Sequence, residues 1–310
     1  MAEVTLKFAG VNNVSPPDSL GVFEDTRVPL LRWLTAMQNF DAGEDAEATV
    51  REGFALALAG SAHSGWSTAG SDRAFFVESA ALKQFLGTSA TSLLTLSTND
   101  RTVFVEVNNG VVFTNGTDIG FIDASGASLF GAVTTEFKRR MPAGQHLAFH
   151  NGRLWVAVGS ILYRSDAYNI EQYDERTGVL PMPADIEMLK AVQSESGGGL
   201  WLAYTGKTAF LQGGDEAFKD VVPYGAVPHT ATHGKAEWFG VQGLSGNIVV
   251  WRSSRGVCVG DETGRMINMS EGSVALKPGT EGAAIIRHSG GGTHFLSTVR
   301  APGSEYNIYT

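Results

Sequence analysis

The sequence predicts an all-β protein, a β-propeller built from four-stranded antiparallel blades. Short strand-turn-strand units recur along the chain, and successive units begin about 40 residues apart, which is the spacing typical of such blades. Glycine is abundant, with 38 glycines against 10 prolines, as expected for a chain with many tight turns. The 310 residues, of which 43% are hydrophobic, are ample for a large core.

The clearest unit spans residues 143–186. Two strand-like runs flank the pair Asn151-Gly152, and this dipeptide between apolar runs predicts a β-hairpin. A third short strand follows after another glycine turn. The three strands are predicted at residues 146–149, 153–158 and 161–164.

The same order of strand, turn and strand occurs four more times. In the last copy the first strand is expected to cover residues 235–241. The C-terminal part offers only two further strands, which are too few for a blade. The four additional copies are predicted at residues 72–96, 101–123, 188–212 and 235–269, and the two C-terminal strands at 282–287 and 293–299.

Residues 1–60 fit the repeat poorly. A closed ring has to eliminate its free strand edges, so these residues are expected to supply the strands that complete the C-terminal blade. Five full units and this composite blade make six blades, with five or seven blades as alternatives. The predicted organisation is an N-terminal closing segment, residues 1–60, and a propeller body, residues 61–310, within one domain.

The charge and hydropathy pattern restricts partners and location. The net charge of −9 disfavours attraction of the whole molecule to nucleic acid, although Lys138, Arg139 and Arg140 form a local basic patch in a predicted loop. No apolar run has the roughly 18 to 20 residues that a membrane helix requires. The N-terminal residues MAEVTLKFAG do not resemble a secretion signal, so the chain is expected to be made and kept in the cytoplasm unless an assembly carries it out.

The candidate metal ligands of the sequence are two histidine pairs, an acidic segment and one cysteine. The pairs His146/His150 and His229/His233 have a spacing that in a strand separates the side chains by about 13 Å, too far for one zinc ion. The acidic segment at residues 42–48 lacks the ligand order of a calcium loop. Cys258, the one cysteine, is interpreted as a small buried strand residue. No metal, cofactor or cofactor-binding residue is predicted.

No catalytic constellation emerges from the sequence. Propeller glycosidases and sialidases need converging carboxylates or arginines, and the Ser-Asp pairs at residues 71–72 and 165–166 do not continue as Asp-box repeats. The glycine runs at residues 197–199 and 290–292 are interpreted as hairpin turns rather than phosphate-binding loops. We therefore predict a protein that is not an enzyme. Five polar residues are assigned to exposed turns or loops: Asp166, Asp174, Glu175, His150 and His233.

Tryptophan recurs at or near strand positions in successive units. Such residues could pack between blades or line a sugar-binding groove, and core packing is the preferred interpretation. The residues concerned are Trp66, Trp155, Trp201, Trp238 and Trp251.

Eight phrases of the sequence together run across nearly the whole chain: FAGVNNVSPPDSL, AMQNFDAG, REGFALAL, HSGWS, VEVNNGVVFTNGTDIG, GRLWVAVGSILYRSDAYNIEQYD, LWLAYTGKTAFLQG and YGAVPHTA. They resemble structural proteins of tailed bacteriophages and prophages, similar in plan to propeller-bearing tail hub or nozzle subunits. The sequence departs from this pattern at His229, where glycine is expected, and in the acidic segment near residue 45.

This resemblance implies a non-enzymatic virion protein of the tail or neck. Such a subunit would form a homo-oligomeric ring, contact other tail or neck proteins, and line or border a channel through which genomic DNA passes. It would reside in the virion and, during assembly, in the host cytoplasm, without membrane insertion. The alternative is a carbohydrate-binding β-propeller used in host attachment.

Overall fold

The computed structural model describes four short strands within residues 1–58 and, beyond them, residues 59–193, 198–212, 218–271, 274, 276, 279–289, 292–302 and 307–309. The chain divides into two compact units. One unit consists of Ala55–Pro223, and the other combines Met1–Phe54 with Tyr224–Thr310.

The unit Ala55–Pro223 contains, in its described part, four sheets of four antiparallel strands. The first is formed by β5 (His63–Ser67), β6 (Ala74–Glu78), β7 (Ala81–Phe85) and β8 (Ala90–Thr95), and the second by β9 (Val103–Val107), β10 (Gly110–Thr114), β11 (Ile119–Ile122) and β12 (Ala127–Leu129). The third comprises β14 (His146–His150), β15 (Arg153–Val158), β16 (Ile161–Arg164) and β18 (Val179–Pro181). The fourth comprises β19 (Ile186–Val192), β20 (Gly199–Tyr204), β21 (Lys207–Gln212) and β22 (Lys219–Val222). An additional ribbon pairs β13 (Lys138–Arg140) with β17 (Gln172–Asp174).

Consecutive sheets of this unit pack face to face, because alternate residues of a central strand point to opposite sides. On β15, Leu154 and Val156 join the cluster shared with the second sheet. The residues between and after them, Trp155 and Ala157, join the cluster shared with the fourth sheet. Because both faces of such a strand are covered, its sequence is a continuous apolar run and does not alternate between polar and apolar residues.

The unit that contains both chain termini has one further four-stranded sheet among its described residues. Its strands are β23 (Thr232–Lys235), β24 (Asn247–Ser253), β25 (Gly256–Asp261) and β26 (Met266–Asn268), and the helix α1 (Ala236–Phe239) follows β23. A three-stranded sheet contains β27 (Glu281–Ser289), β28 (Gly292–Arg300) and β29 (Asn307–Tyr309). The N-terminal strands β1 (Phe8–Val11) and β2 (Arg32–Leu34) form a parallel pair, and β3 (Phe40–Ala42) and β4 (Ala48–Val50) an antiparallel pair.

These findings confirm an all-β fold of four-stranded antiparallel blades. A four-stranded sheet lies at each of the five predicted units. In the first four it includes a strand that the sequence had not resolved, and in the fifth the outer strand Met266–Asn268 lies within the predicted residues 235–269. The hairpin turn predicted at Asn151-Gly152 is also confirmed, because the two residues have φ values of 50° and 67°, as a two-residue hairpin turn requires. Ser79 and Ala80, between β6 and β7, have similar values of 51° and 59°.

Three local predictions need correction or completion. The strand expected at residues 235–241 is wrong, because β23 ends at Lys235 and the chain then forms α1. The loop expected around Lys138 is wrong as well, since Lys138–Arg140 is a strand paired with Gln172–Asp174. The C-terminal hairpin gains a third strand from residues 307–309, which the sequence did not indicate.

The blade number and the closing role of residues 1–60 stay predictions. The described N-terminal strands pair with one another, and most of this segment, including residues 43–47 of the acidic stretch, lies outside the described residues.

Candidate functional site

The candidate site is a pocket of about 330 Å³ beside the third sheet, within the unit Ala55–Pro223. Its wall comes from the ribbon of β13 and β17, from the ends of β15 and β16, and from the connection between β16 and β18. The charged side chains in the wall are Lys138, Arg153, Arg164, Asp166 and Asp174.

Strand pairing places these charged groups together. Lys138 and Asp174 are Cα partners in the ribbon, so their side chains share one of its faces. Arg164 is the partner of Trp155, and Arg153 lies two residues before Trp155 on the same strand. The two arginines therefore lie on one face of the β15–β16 hairpin.

Lys138 links two carboxylates. Its Nζ atom lies 2.9 Å from Oδ1 of Asp166 and 3.4 Å from Oδ2 of Asp174. Gln172 donates a further hydrogen bond of 2.9 Å to Asp166. Asp174 also receives two hydrogen bonds from the Arg176 guanidinium, of 3.0 Å to Oδ1 and 2.7 Å to Oδ2, in the bidentate arrangement that arginine favours with carboxylates.

The ion pairs hold these groups in their charged forms. Hydrogen bonding with Asp166 raises the pKa of Lys138 above its usual value. Hydrogen bonds from Arg176 hold the pKa of Asp174 far below its usual range. Burial opposes ionisation of Asp166, but the hydrogen bonds from Lys138 and Gln172 lower its pKa overall. The charges of these three groups are therefore constant throughout the neutral pH range.

The two arginines of the pocket are bound differently from Arg176. Arg153 donates to the backbone carbonyl of Ser165 at 2.8 Å, and Arg164 donates to that of Thr177 at 3.2 Å. The Arg164 guanidinium also lies 5.7 Å from the centre of the Trp155 ring. Within the described part of the chain, neither arginine has a carboxylate at ion-pair distance.

Two aromatic residues that are sequence neighbours of wall residues have unusual backbone conformations. Phe137, directly before Lys138, has a φ of 59°, and Tyr168, directly after the wall residue Ala167, has a φ of 60°. A positive φ is a genuine outlier for bulky side chains and tends to occur at functional sites. The side chains are 42% and 87% exposed, respectively.

Backbone contacts fix the connection that carries Asp166 and Asp174. Ser165 donates its backbone N–H to Leu154, and its hydroxyl accepts a hydrogen bond from the Leu154 N–H. Gly178 lies so close to its neighbours that an added Cβ would be 2.7 Å from the Arg164 carbonyl oxygen. The pocket wall is thus attached to the third sheet rather than carried by an independent loop.

The structure places the histidines of both predicted pairs in or near strands. His146 and His150 both lie on β14, as a strand interpretation requires, but His150 is only 2% exposed and not at a solvated turn. His233 is exposed on β23. In the residues that the structure describes, no three His, Cys, Asp or Glu side chains gather closely enough to hold a metal ion.

Two other polar assignments are corrected by the structure. Asp174 lies in β17 and is 9% exposed, so its assignment to an exposed loop is wrong. Asp166 is half-buried and paired with Lys138. Glu175 is exposed, as predicted, and binds Arg139 at 3.0 Å.

The preference for packing over a sugar groove is confirmed for three of the five tryptophans. Trp155, Trp201 and Trp251 are 4%, 0% and 0% exposed. Trp66 is half-buried and stacks on Phe75 and Phe104. The exception is Trp238, which is 38% exposed on α1.

Cys258 is confirmed as a buried strand residue. Its thiol lies 3.4 Å from the Ser253 hydroxyl, and burial raises its pKa, so it stays protonated and is not an activated nucleophile.

The sequence indicated several pocket residues singly but did not bring them together. Lys138, Asp166 and Asp174 were noted in separate contexts, and Arg153 and Arg164 were missed. The available signal was the high density of charged residues of both signs at residues 164–176, directly after a strongly apolar hairpin.

Comparisons with known proteins support the fold. No protein-family model and no curated protein matches the chain. Two solved structures of an extracellular domain from B. thetaiotaomicron, described as part of a one-component system and of a hybrid two-component system, are similar with TM-scores of 0.50 and 0.51 and identities of 10% and 11%. Each alignment covers 88% of this chain and 35% of the other, so the chain spans about a third of the length of these structures. The WD40 domain of Neurospora crassa Pan2 is similar with a TM-score of 0.46 and 14% identity over 81% of this chain and 79% of that one.

At such identities the likeness concerns the fold, and the class of protein defined here is a propeller-like all-β protein. The one helix described, Ala236–Phe239, has four residues. No helix in the described part of the chain has the length and apolarity needed to cross a bilayer.

Proposed function

We propose that the protein is a non-enzymatic structural subunit of a tailed-bacteriophage virion, located in the tail or neck. It assembles with copies of itself into a ring and with neighbouring tail proteins. The rigid sheet assembly, rather than a chemical site, is its working property.

One observation carries this proposal: the phrases that resemble phage tail proteins coincide with turns and packed strands. HSGWS is strand β5, VEVNNGVVFTNGTDIG covers the β9–β11 region, and LWLAYTGKTAFLQG covers β20 and β21. His229, where the resemblance calls for glycine, has a φ of 64°, the left-handed conformation that glycine adopts at least cost. The residues that carry the resemblance are therefore ones that strand packing or backbone conformation requires, which supports a structural role for the protein.

The ionisable groups of the pocket support the same conclusion. Asp166 and Asp174 are held as carboxylates by Lys138 and Arg176, so neither is poised near neutral pH as a general acid or base. The net charge of −9 also suits a protein that borders a DNA channel, since it prevents adhesion of the passing phosphates.

The test is made in the phage or prophage that encodes the chain. Purified particles should contain the protein in several copies, and deletion of its gene should give particles with incomplete tails or necks, restored by the gene supplied in trans. Glu175→Ala and His233→Ala, which alter exposed side chains, should restore assembly as well as the unaltered gene does. Normal infectious particles without the protein would refute the proposal.

A further inference from the structure

We propose that the pocket between Lys138, Arg153 and Arg164 binds a sugar acid, that is, a pyranose ring carrying a carboxylate. This inference is independent of where the protein resides, and it assigns to the third sheet a ligand site that the structural role does not require.

The first argument is charge. Arg153 and Arg164 use backbone carbonyls as partners, and each guanidinium has five N–H donors. The charged residues of the wall are three cations, Lys138, Arg153 and Arg164, and two carboxylates, which leaves a formal excess of one positive charge. An anion that enters the pocket meets arginine donors that no carboxylate already occupies, and paired donors of this kind recognise a carboxylate in a bidentate manner.

The second argument is the presence of acceptors in the same wall. The oxygens of Asp174 are taken by the backbone and guanidinium of Arg176 and by Lys138. Asp166 is bound by Lys138 and Gln172, and because a carboxylate has about four lone-pair positions it accepts a further hydrogen bond. A ligand that presents only phosphate oxygens would be repelled by the two carboxylates. A sugar acid presents a hydroxyl donor to Asp166 and its own carboxylate to the arginines, so it matches both kinds of group.

The third argument concerns size and surroundings. A pocket of about 330 Å³ lies at the small end of the range for small-molecule sites, about 300 to 1,000 Å³, which favours one ring-sized ligand over a polymer backbone. Tyr168, which directly follows the wall residue Ala167, exposes its aromatic ring and has a costly backbone conformation. Exposed aromatic rings provide an apolar surface for the less polar face of a sugar.

The test is a binding measurement on the full chain by isothermal titration calorimetry. The probes are the methyl glycosides of glucuronic, galacturonic and N-acetylneuraminic acid, each paired with its neutral counterpart: the glucoside, the galactoside and the methyl ester. At least one acid should bind. Its neutral counterpart should bind at least about tenfold more weakly, because it cannot form the charge-assisted hydrogen bonds.

Substitutions locate the site. Arg153→Gln and Arg164→Gln should each weaken binding of the acid by about tenfold or more. Arg139→Gln is the matched control: it removes the same charge from the neighbouring ribbon, where Arg139 is exposed and paired with Glu175, and it should change affinity by less than about twofold. Circular dichroism establishes that each variant is folded.

Several results would overturn the proposal. They are absence of binding by all three acids, equal affinity for acid and neutral counterpart, and an equal loss in Arg139→Gln. Inorganic phosphate or a DNA duplex binding more tightly than every sugar acid would also overturn it, in favour of a general anion site. The comparison of acid with neutral counterpart uses the unaltered protein, so it decides the matter even if an arginine variant fails to fold.

Discussion

Acidification should destabilise the protein through His146, which lies on β14 and is 8% exposed. Burial lowers the pKa of this imidazole to about 3, and the positive charge of Lys190 contributes in the same direction. Lys190 is itself desolvated, with a pKa lowered to about 8, but it carries a charge through most of the neutral range. An imidazolium at this position would lack solvent and face a like charge.

The magnitude follows from linkage. A histidine that titrates near 6.5 in the unfolded chain and near 3 in the folded protein contributes stability that is fully present above about pH 6.5 and is lost as the pH falls toward 3. The unfolded chain takes up the proton first, so the expected loss is about 1.4 kcal/mol at pH 5.5 and about 2.7 kcal/mol at pH 4.5.

The assay compares the wild type with His146→Gln, which cannot titrate, in urea unfolding followed by tryptophan fluorescence at pH 7.5, 6.5, 5.5 and 4.5. The free energy of unfolding of the variant should fall less than that of the wild type between pH 7.5 and 5.5, by about 1.4 kcal/mol. His288→Gln, which removes an exposed imidazole, is the control for the general effect of losing a histidine.

Parallel pH profiles of wild type and His146→Gln would refute the reasoning. So would an imidazole resonance of His146 that titrates near pH 6.5 in the folded protein by NMR, since the folded pKa would then be the same as in the unfolded chain.

Three further substitutions test packing and backbone conformation by denaturant unfolding. Trp201→Ala should lower the free energy of unfolding by about 3 to 5 kcal/mol because the ring is fully buried. Trp238→Ala, at a partly exposed ring, should lower it much less, and equal losses in the two variants would contradict this prediction. Gly178→Ala should cost about 1 to 3 kcal/mol, since its Cβ would approach two carbonyl oxygens at 2.7 and 2.9 Å, and Gly131→Ala, which has open space, should be near neutral. The His229→Gly variant should be more stable than the His229→Ala variant by about 1 kcal/mol. Both variants lose the imidazole, but only glycine adopts the left-handed backbone conformation of this position without strain. The reverse order of stability would refute the left-handed conformation at residue 229.

The repeating plan could be predicted from the sequence because its signals are short-range. Asn151-Gly152 specifies a hairpin turn by the backbone conformations that these two residues tolerate. The apolar runs beside such turns define paired strands, and their spacing defines blades. The short outer strands, such as Ala127–Leu129 and Lys219–Val222, were missed because they have only three or four residues and are partly or largely exposed, which is too short for a periodic pattern.

The sequence by itself determined the fold class, the central hairpins of each sheet and the burial of Trp155, Trp201 and Cys258. Apolar residues flanked by turn residues have few alternatives to a packed strand.

Only the tertiary structure decided the pocket. Lys138 and Asp174 are 36 positions apart in the sequence and become neighbours through the pairing of β13 with β17, while Arg153 and Arg164 reach the same place from another sheet. Charged residues at the ends of strands and in a short ribbon carry no periodicity and no turn preference that specifies a distant partner. Their assembly depends on where the apolar strands place the connections, and this is a property of the packed chain.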